Sequence, residues 1–186
     1  LEEFMKQFKW QLIARDEFKR LCESPPETLT DIQRAARFYY LLRAGFAAKV
    51  YRPSFSSAPS QSSRLNLLRI EEDLSEAHLR LSRVTIENQH FARIIERFDR
   101  SNTFFYCDPP YYGHETDYGP VFTREDFMLL RDLLIGIKGK CLISLNDRPE
   151  VRDIFADFQI QIVNTSYSAA GADKKKAVSE VLIMNY

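Results

Sequence analysis

At 186 residues and 45% hydrophobic, the sequence is long enough to bury one sizeable core with a small attached subdomain, so one or two domains are expected. Lysine plus arginine equals aspartate plus glutamate at 26 each, a formal net charge of zero, which excludes a global pull toward nucleic acid or an anionic membrane and leaves such binding to local patches. Cys22, Cys107 and Cys141 form no Cys-x-x-Cys pair, no apolar run reaches the length of a membrane span, and no charged-then-apolar leader opens the chain, so a soluble protein of the reducing cytoplasm is expected, without structural zinc.

The opening stretch LEEFMKQFKWQLIARDEFKRLC sets Phe4, Phe8 and Leu12 on one face with Met5 beside them. Phe18 and Leu21 continue the stripe, which predicts one amphipathic helix. Ser-Pro-Pro-Glu breaks it. Thr30, followed three residues later by Gln33, supplies a cap for a second helix through RAARFYYLLRA to Gly45. In that helix Phe38, Tyr39 and Tyr40 read as core, and Arg34, Arg37 and Arg43 read either as a solvated face or as phosphate contacts. Residues 52–63, RPSFSSAPSQSS, lack periodicity and read as a mobile loop. Leu67, Ile70, Leu74, Ala77 and Leu81 then recur at threes and fours, a third helix.

From Val84 the pattern changes. VTI is a short strand candidate, HFARIIERF a helix, TFFYC a strand, TREDFMLLRDLLIGIK a helix capped by Thr123, KCLISL a strand and PEVRDIFADF a helix opened by a permitted proline. IQIVNTSY and VSEVLIMNY close the chain as two strands. The alternation implies an α/β layer with parallel strands, and the closing pair is joined by a polar loop short enough for antiparallel pairing. The six glycines are too scattered to form a G-x-G-x-x-G type of nucleotide loop.

The chemistry concentrates in TFFYCDPPYYG, Thr103 to Gly113. Two prolines after an aspartate end the strand, because neither can donate a backbone hydrogen bond and the first biases Asp108 toward an extended conformation. What remains at the strand end is a carboxylate, carbonyls with no neighbouring N–H, and aromatics, at the edge where open α/β sheets bind ligands. A planar aromatic amine could donate its two N–H bonds to the Asp108 carboxylate and the Pro109 carbonyl while Tyr111 stacks on its ring. An amine such as that of adenine is a poor nucleophile because its lone pair is delocalised, and two acceptors out of the ring plane favour the pyramidal, reactive nitrogen. The plainer reading is a turn in which Asp108 caps backbone groups. A chance D-P-P-Y in a chain of this size is on the order of one in a thousand. His78, His90 and His114 match no ligand spacing, so no metal is expected. Asp173–Lys176, with Lys174 and Lys175, reads as a solvated hairpin tip or a phosphate contact. Asn146 and Asp147 end a strand beside the pocket and either line it or form its turn.

On these residues the sequence resembles the adenine-specific DNA N6-methyltransferases of the D12, or Dam-like, class. ARFYYLLRAGFAAK is similar to the family's aromatic and Leu-Arg helix, VTIENQHFARII to the segment feeding the cofactor site, TFFYCDPPYYG to the catalytic motif, GKCLISLND to the following strand, and YSAAGADKKKAVSEVLIMNY to the closing hairpin. The resemblance implies a Rossmann-like α/β methyltransferase core, incomplete at its first strand, over residues 83–186, and a mainly helical target-recognition subdomain over 1–82. It implies transfer of methyl from S-adenosylmethionine to adenine N6 in double-stranded DNA, with the base flipped out, in the setting of restriction and modification. By resemblance Asp108, Pro109, Pro110 and Tyr111 are catalytic, with Asp108 as amine acceptor and Tyr111 as stacking platform. Phe91 and Asp108 would meet the cofactor; Arg34, Arg37, Arg43, Tyr112, Lys174 and Lys175 would meet DNA.

Two departures accompany the resemblance. His90 stands before Phe91 where the family has an aspartate that contacts the cofactor's adenine. The family's Trp/Gly/Lys segment and phenylalanine-glycine motif, which form the first strand and cradle the cofactor, precede the stretch seen here. The expectation is therefore a fragment inactive alone, binding S-adenosylmethionine weakly, with an open edge that invites self-association or a completing N-terminal segment. The alternatives are a non-catalytic nucleic-acid-binding remnant, a subunit of a split enzyme, or a methyltransferase acting on cytosine N4, RNA or a protein amine.

Overall fold

A buried tyrosine decides how the chain begins. In the computed structural model, which describes residues 1–46, 49–57, 65–119, 121–167 and 176–186, the stripe predicted to form one helix is split into α1, Glu2–Lys6, and α2, Arg15–Glu23. Between them the hydroxyl of Tyr40, only 1% exposed, donates to the Leu12 carbonyl at 2.8 Å and accepts the Ala14 N–H at 3.2 Å. A continuous helix would draw those backbone groups into its own ladder and leave the hydroxyl buried without a partner, at a cost of about 1–3 kcal/mol. The connector instead turns through residues 7–10 and leaves 11–14 outside any helix.

The chain divides into two units, Leu1–Ile86 and Glu87–Tyr186. In the first, α3, Asp31–Ala44, opens on the predicted capping box: the Gln33 N–H donates to the Thr30 hydroxyl and the Gln33 side chain accepts the Thr30 N–H. It stops at Gly45, where a β carbon would lie 2.6 Å from the Leu41 carbonyl oxygen. Ala36, Tyr40, Leu41 and Ala44 form its buried face and pack with Phe8, Phe18, Leu65 and Ile70. Tyr39 packs edge-on against Phe4 and Phe8. Phe38, read as core, is instead 50% exposed, because it lies two residues from both Ala36 and Tyr40 and so points away from their stripe.

The stretch read as a mobile loop is anchored at its front. Gly45 pairs with Phe55, the Phe46 N–H donates to the Ser54 carbonyl and the Ser56 N–H to the Ala44 carbonyl; residues 58–63 lie outside the described residues. α4, Ile70–Leu81, begins three residues later than the repeat from Leu67 predicts. Its acidic first turn, Glu71, Glu72 and Asp73, sits where the positive end of the helix dipole favours it. Val84–Ile86, predicted as a strand, is irregular chain with Val84 and Ile86 exposed. It has no partner strand among the described residues, and a strand without a ladder leaves its backbone groups to water.

The second unit runs α5 (Phe91–Phe98), β1 (Phe104–Cys107), α6 (Arg124–Ile135), β2 (Lys140–Asn146), α7 (Pro149–Ile154), β3 (Gln159–Tyr167) and β4 (Lys176–Met184). Its sheet has the order β1-β2-β4-β3. β1 and β2 are parallel, as the alternation predicts, and β4 is antiparallel to both β2 and β3. Cys141, Ile143 and Leu145 of β2 and Val181 and Ile183 of β4 are fully buried against Ile95 of α5, Phe127, Leu130 and Leu134 of α6, and Val151, Phe155 and Phe158 around α7. β1 forms one edge of the sheet, with Phe104 and Tyr106 exposed at 52% and 60%. Among the described residues no helix is long and apolar enough to cross a membrane.

The relative height of β1 and β2 is set below the site. The Asp99 carboxylate accepts the N–H groups of Lys138 and Gly139 at 2.9–3.0 Å, which holds that carboxyl below its ordinary pKa. The Lys140 N–H donates to the Thr103 carbonyl. Gly139 has no room for a side chain, since a β carbon would meet the carbonyl oxygens of Thr103 at 2.6 Å and Arg100 at 2.9 Å. The two parallel strands thus start in step and end in step, Cys107 opposite Ile143.

Candidate active site

β1 delivers Asp108 to the carboxyl end of the sheet, and the chain then turns. Asp108 is exposed, Pro109, Pro110 and Tyr111 are half-buried, and the two prolines bring no N–H to compete for an acceptor. Two side chains from neighbouring strands hold the far end of the turn. The Tyr111 hydroxyl donates to a Glu180 carboxylate oxygen at 2.6 Å. The Asn146 amide accepts the Tyr112 N–H at 2.9 Å and donates to the Tyr112 carbonyl at 3.0 Å. Asn146 and Glu180 are partners across the β2–β4 ladder. Burial first, then the bond to Glu180, raises the Tyr111 phenol well above its ordinary pKa, so it stays protonated and keeps donating at neutral pH.

Beyond Tyr112 the chain doubles back. The His114 N–H donates to the Tyr111 carbonyl, Gly113 takes φ +84°, and its N–H donates to Glu115; the positive φ is one that glycine adopts without steric cost. A short 3-10 turn, Glu115–Tyr118, follows. Asp108, Pro109, Pro110, Tyr111, His114, Asp117, Tyr118 and Val121 then line an open pocket of about 570 Å³, within the range of small-molecule sites. His114 and Asp117 approach to 3.3 Å on its rim. The lining offers two carboxylates and two phenol rings. That set suits a planar amine and a positively charged sulfonium, through hydrogen bonds and cation–π attraction, and does not suit an anion.

Cys107, next to Asp108, is no rival nucleophile. Burial pushes its thiol up to about 11, so it remains protonated near neutrality.

Of the residues singled out in the sequence, the structure brings Asp108, Pro109, Pro110 and Tyr111 to one pocket. Phe91 does not line it: the ring, at the first position of α5, stacks on His90 at 4.4 Å and leans on Phe122 at 5.9 Å. His90 caps that helix, its Nδ1 accepting the Ala92 N–H. Tyr112 packs against Phe127, with the Arg124 guanidinium 5.3 Å from its ring. Asn146 holds the turn, while Asp147 forms a two-point pair with Arg152.

In the first unit, Arg34 pairs with Asp31 on the surface. Arg37 donates to the Leu21 carbonyl at 2.6 Å and the Cys22 carbonyl at 3.2 Å, completing the end of α2. Arg43 reaches Asp73 at 3.4 Å and lies over Tyr39. Lys174 and Lys175 lie outside the described residues. Glu180, Asp117 and Tyr118 carried no signal in the sequence; Glu180 is 69 residues from Tyr111, and only the strand register connects them.

An α/β sheet with an acidic, aromatic pocket at the end of a parallel strand is a setting suited to holding a planar amine. A family model described as D12 class N6 adenine-specific DNA methyltransferase matches residues 1–169, and the chain belongs to that family. It is similar to a type II methyltransferase, M.CviBI, of Paramecium bursaria Chlorella virus NC1A, at 26% identity over 76% of this chain and 53% of the relative. It is also similar to the type II methyltransferase M1.LlaDCHI of Lactococcus lactis subsp. cremoris, at 24% identity over 86% of this chain and 61% of the relative. The chain thus spans less than two thirds of the length of either.

Proposed function

We propose that the protein carrying this chain transfers methyl from S-adenosylmethionine to the N6 amine of an adenine flipped out of double-stranded DNA. The observation that carries the reading is the convergence of the Asp108 carboxylate, the donor-free Pro109–Pro110 turn and the Tyr111 ring on one pocket, in a chain of the D12 family. When bound, S-adenosylmethionine supplies an electrophilic methyl on a sulfonium. In this reading Asp108 would face it in the pocket, and Phe91, outside that lining, would meet it from the first position of α5.

Asp108 and the Pro109 carbonyl accept the two amine N–H bonds, and Tyr111 and Tyr118 offer faces for the base. The carboxylate acts most strongly as the nitrogen gains positive charge, which is the condition for lowering the barrier rather than only binding the substrate. The turn is held by side chains on β2 and β4 rather than by a flexible loop, so these acceptors need little reorganisation during reaction.

The helical unit takes the role of target recognition and the α/β unit that of catalysis. Arg34, half-exposed and paired only on the surface, is suited to exchange Asp31 for a phosphate; Arg43, Tyr112, Lys174 and Lys175 are further DNA contacts in this reading. Arg37 donates from Nε and one terminal nitrogen to the end of α2, and in this reading it both holds that helix and keeps donors for DNA. The relatives are named type II methyltransferases, and a restriction–modification setting, in the cytoplasm, is part of our proposal for this protein. The test is product analysis: DNA incubated with the protein carrying this chain and labelled S-adenosylmethionine is digested to nucleosides, and N6-methyl-2′-deoxyadenosine is the expected labelled product. Label on cytosine, or none, contradicts the reading.

A further inference from the structure

The D-P-P-Y turn has unusually little backbone hydrogen bonding with which to hold itself, because Pro109 and Pro110 donate nothing. What fixes its far end comes from two strands. Asn146 and Glu180 face each other across the β2–β4 ladder, and both reach the same turn. Glu180 takes the Tyr111 hydroxyl at 2.6 Å, and Asn146 bonds both the N–H and the carbonyl of Tyr112 at 2.9 and 3.0 Å.

We propose that Asn146 and Glu180 act together as positioning residues, a cross-strand clamp that sets the orientation of the Tyr111 ring and, through the turn, the direction of the Asp108 carboxylate. The proposal rests on the reading of the turn as the acceptor of a base amine. Residues opposite each other on one sheet face are held at close range by the ladder itself, so the clamp inherits the rigidity of the sheet. Glu180 is suited to its part because a carboxylate accepts a phenol more strongly than a neutral oxygen does. Alternation along β4 separates core from clamp: Val181 and Ile183 are fully buried in the core, while the half-buried Glu180 turns to the opposite face. A site whose reacting groups must meet within about an ångström gains most from such pre-orientation, since misplacement on that scale can cost about a hundredfold in rate.

The clamp makes a distinctive kinetic prediction. Tyr111→Phe keeps the ring and removes the hydroxyl, whereas Glu180→Ala removes the carboxylate that accepts from it; each is expected to lower kcat for methyl transfer to DNA by about ten- to a hundredfold, with KM for DNA within a few-fold. Because both break one bond, the double variant Tyr111→Phe/Glu180→Ala is expected to be no worse than the worse single variant. Glu180→Gln, which retains an acceptor oxygen, is expected to restore most of the rate, and Asn146→Ala to reproduce the kcat loss. Additive losses in the double variant, or full kcat in Glu180→Ala, overturn the proposal.

A second arm needs no turnover. In the chain labelled with ¹³C at tyrosine Cζ, the resonance assigned by its disappearance in Tyr111→Phe is expected to shift in Glu180→Ala and to return toward its original position in Glu180→Gln. An unmoved resonance overturns the clamp. If the resonance responds as expected but even the unaltered protein methylates no DNA, the clamp is supported and the failure belongs to the proposed reaction.

Discussion

Gly139→Ala tests how the sheet positions the turn. A β carbon there would lie 2.6 Å from the Thr103 carbonyl oxygen and 2.9 Å from that of Arg100. Both obstacles are backbone atoms of the approach to β1, so no side-chain rotation relieves them. The ordinary contact distance is restored only by moving the start of β1 away from β2. That movement strains the Lys140 N–H bond to the Thr103 carbonyl and the Asp99 bonds to Lys138 and Gly139. Overpacking of this kind costs about 1–3 kcal/mol. For a chain of this length each kcal/mol moves the midpoint by roughly 2–4 °C, so a loss near the upper end lowers Tm by about 6–12 °C. Gly136→Ala is the control, because its β carbon would meet nothing nearer than the Leu133 carbonyl oxygen at 3.9 Å. There the reduced freedom of the unfolded chain is expected to stabilise by about 0.4–1 kcal/mol. Thermal unfolding followed by circular dichroism compares the two. A Gly139→Ala protein as stable as the parent would refute the argument that this glycine sets the height of β1.

Tyr40→Phe strands the Leu12 carbonyl and the Ala14 N–H, and is expected to cost about 1–3 kcal/mol in a denaturant titration; a negligible change would mean that the hydroxyl does not hold the α1–α2 connector. Asp99, whose folded pKa is depressed by the backbone N–H groups of Lys138 and then Gly139, contributes stability present above its unfolded pKa of about 3.9 and lost as pH falls through the lower folded value. The Tm difference between the parent and Asp99→Asn is therefore expected to be steady from about pH 5 to 7 and to narrow below about pH 4; a difference unchanged in acid contradicts this. Arg34→Ala is expected to reduce the salt dependence of DNA binding by about one counterion, measured by fluorescence anisotropy across salt concentrations, and an identical slope removes Arg34 from the interface.

Local chemistry made parts of the fold legible in advance. The Thr30 and Thr123 caps, the stop at Gly45 and the end of β1 at Asp108 each depend on residues within a few positions of one another. The alternation of strands and helices also led to the parallel β1–β2 pair, and the short polar connection to the antiparallel closing strands. Insertion of β4 between β2 and β3 was not legible, because strand order is decided by long-range pairing and leaves no local period. The split of the first helix depends on a tyrosine hydroxyl 26 residues from Ala14, which no amphipathic pattern reports. The same holds at the site. Asp108 to Tyr111 stand out as a motif, yet Glu180 and the two-way bond of Asn146 become visible only when the ladder register brings them to the turn. Arg37, read as a solvated face or a phosphate contact, also donates to two carbonyls at the end of a neighbouring helix, which its own helix pattern does not report.

The most direct measurement of the central claim is incorporation of labelled methyl from S-adenosylmethionine into DNA by the protein with and without Asp108→Ala. Asp108 is exposed at the pocket, and the substitution removes the acceptor without opening a buried cavity, so the fold is expected to survive. Loss of electrostatic stabilisation at a reacting atom typically costs about a hundred- to a thousandfold in kcat. A loss of at least that size is expected, with affinity for the same DNA changed by no more than a few-fold. Turnover close to that of the unaltered protein would contradict the assignment of Asp108 as the group that accepts the reacting amine.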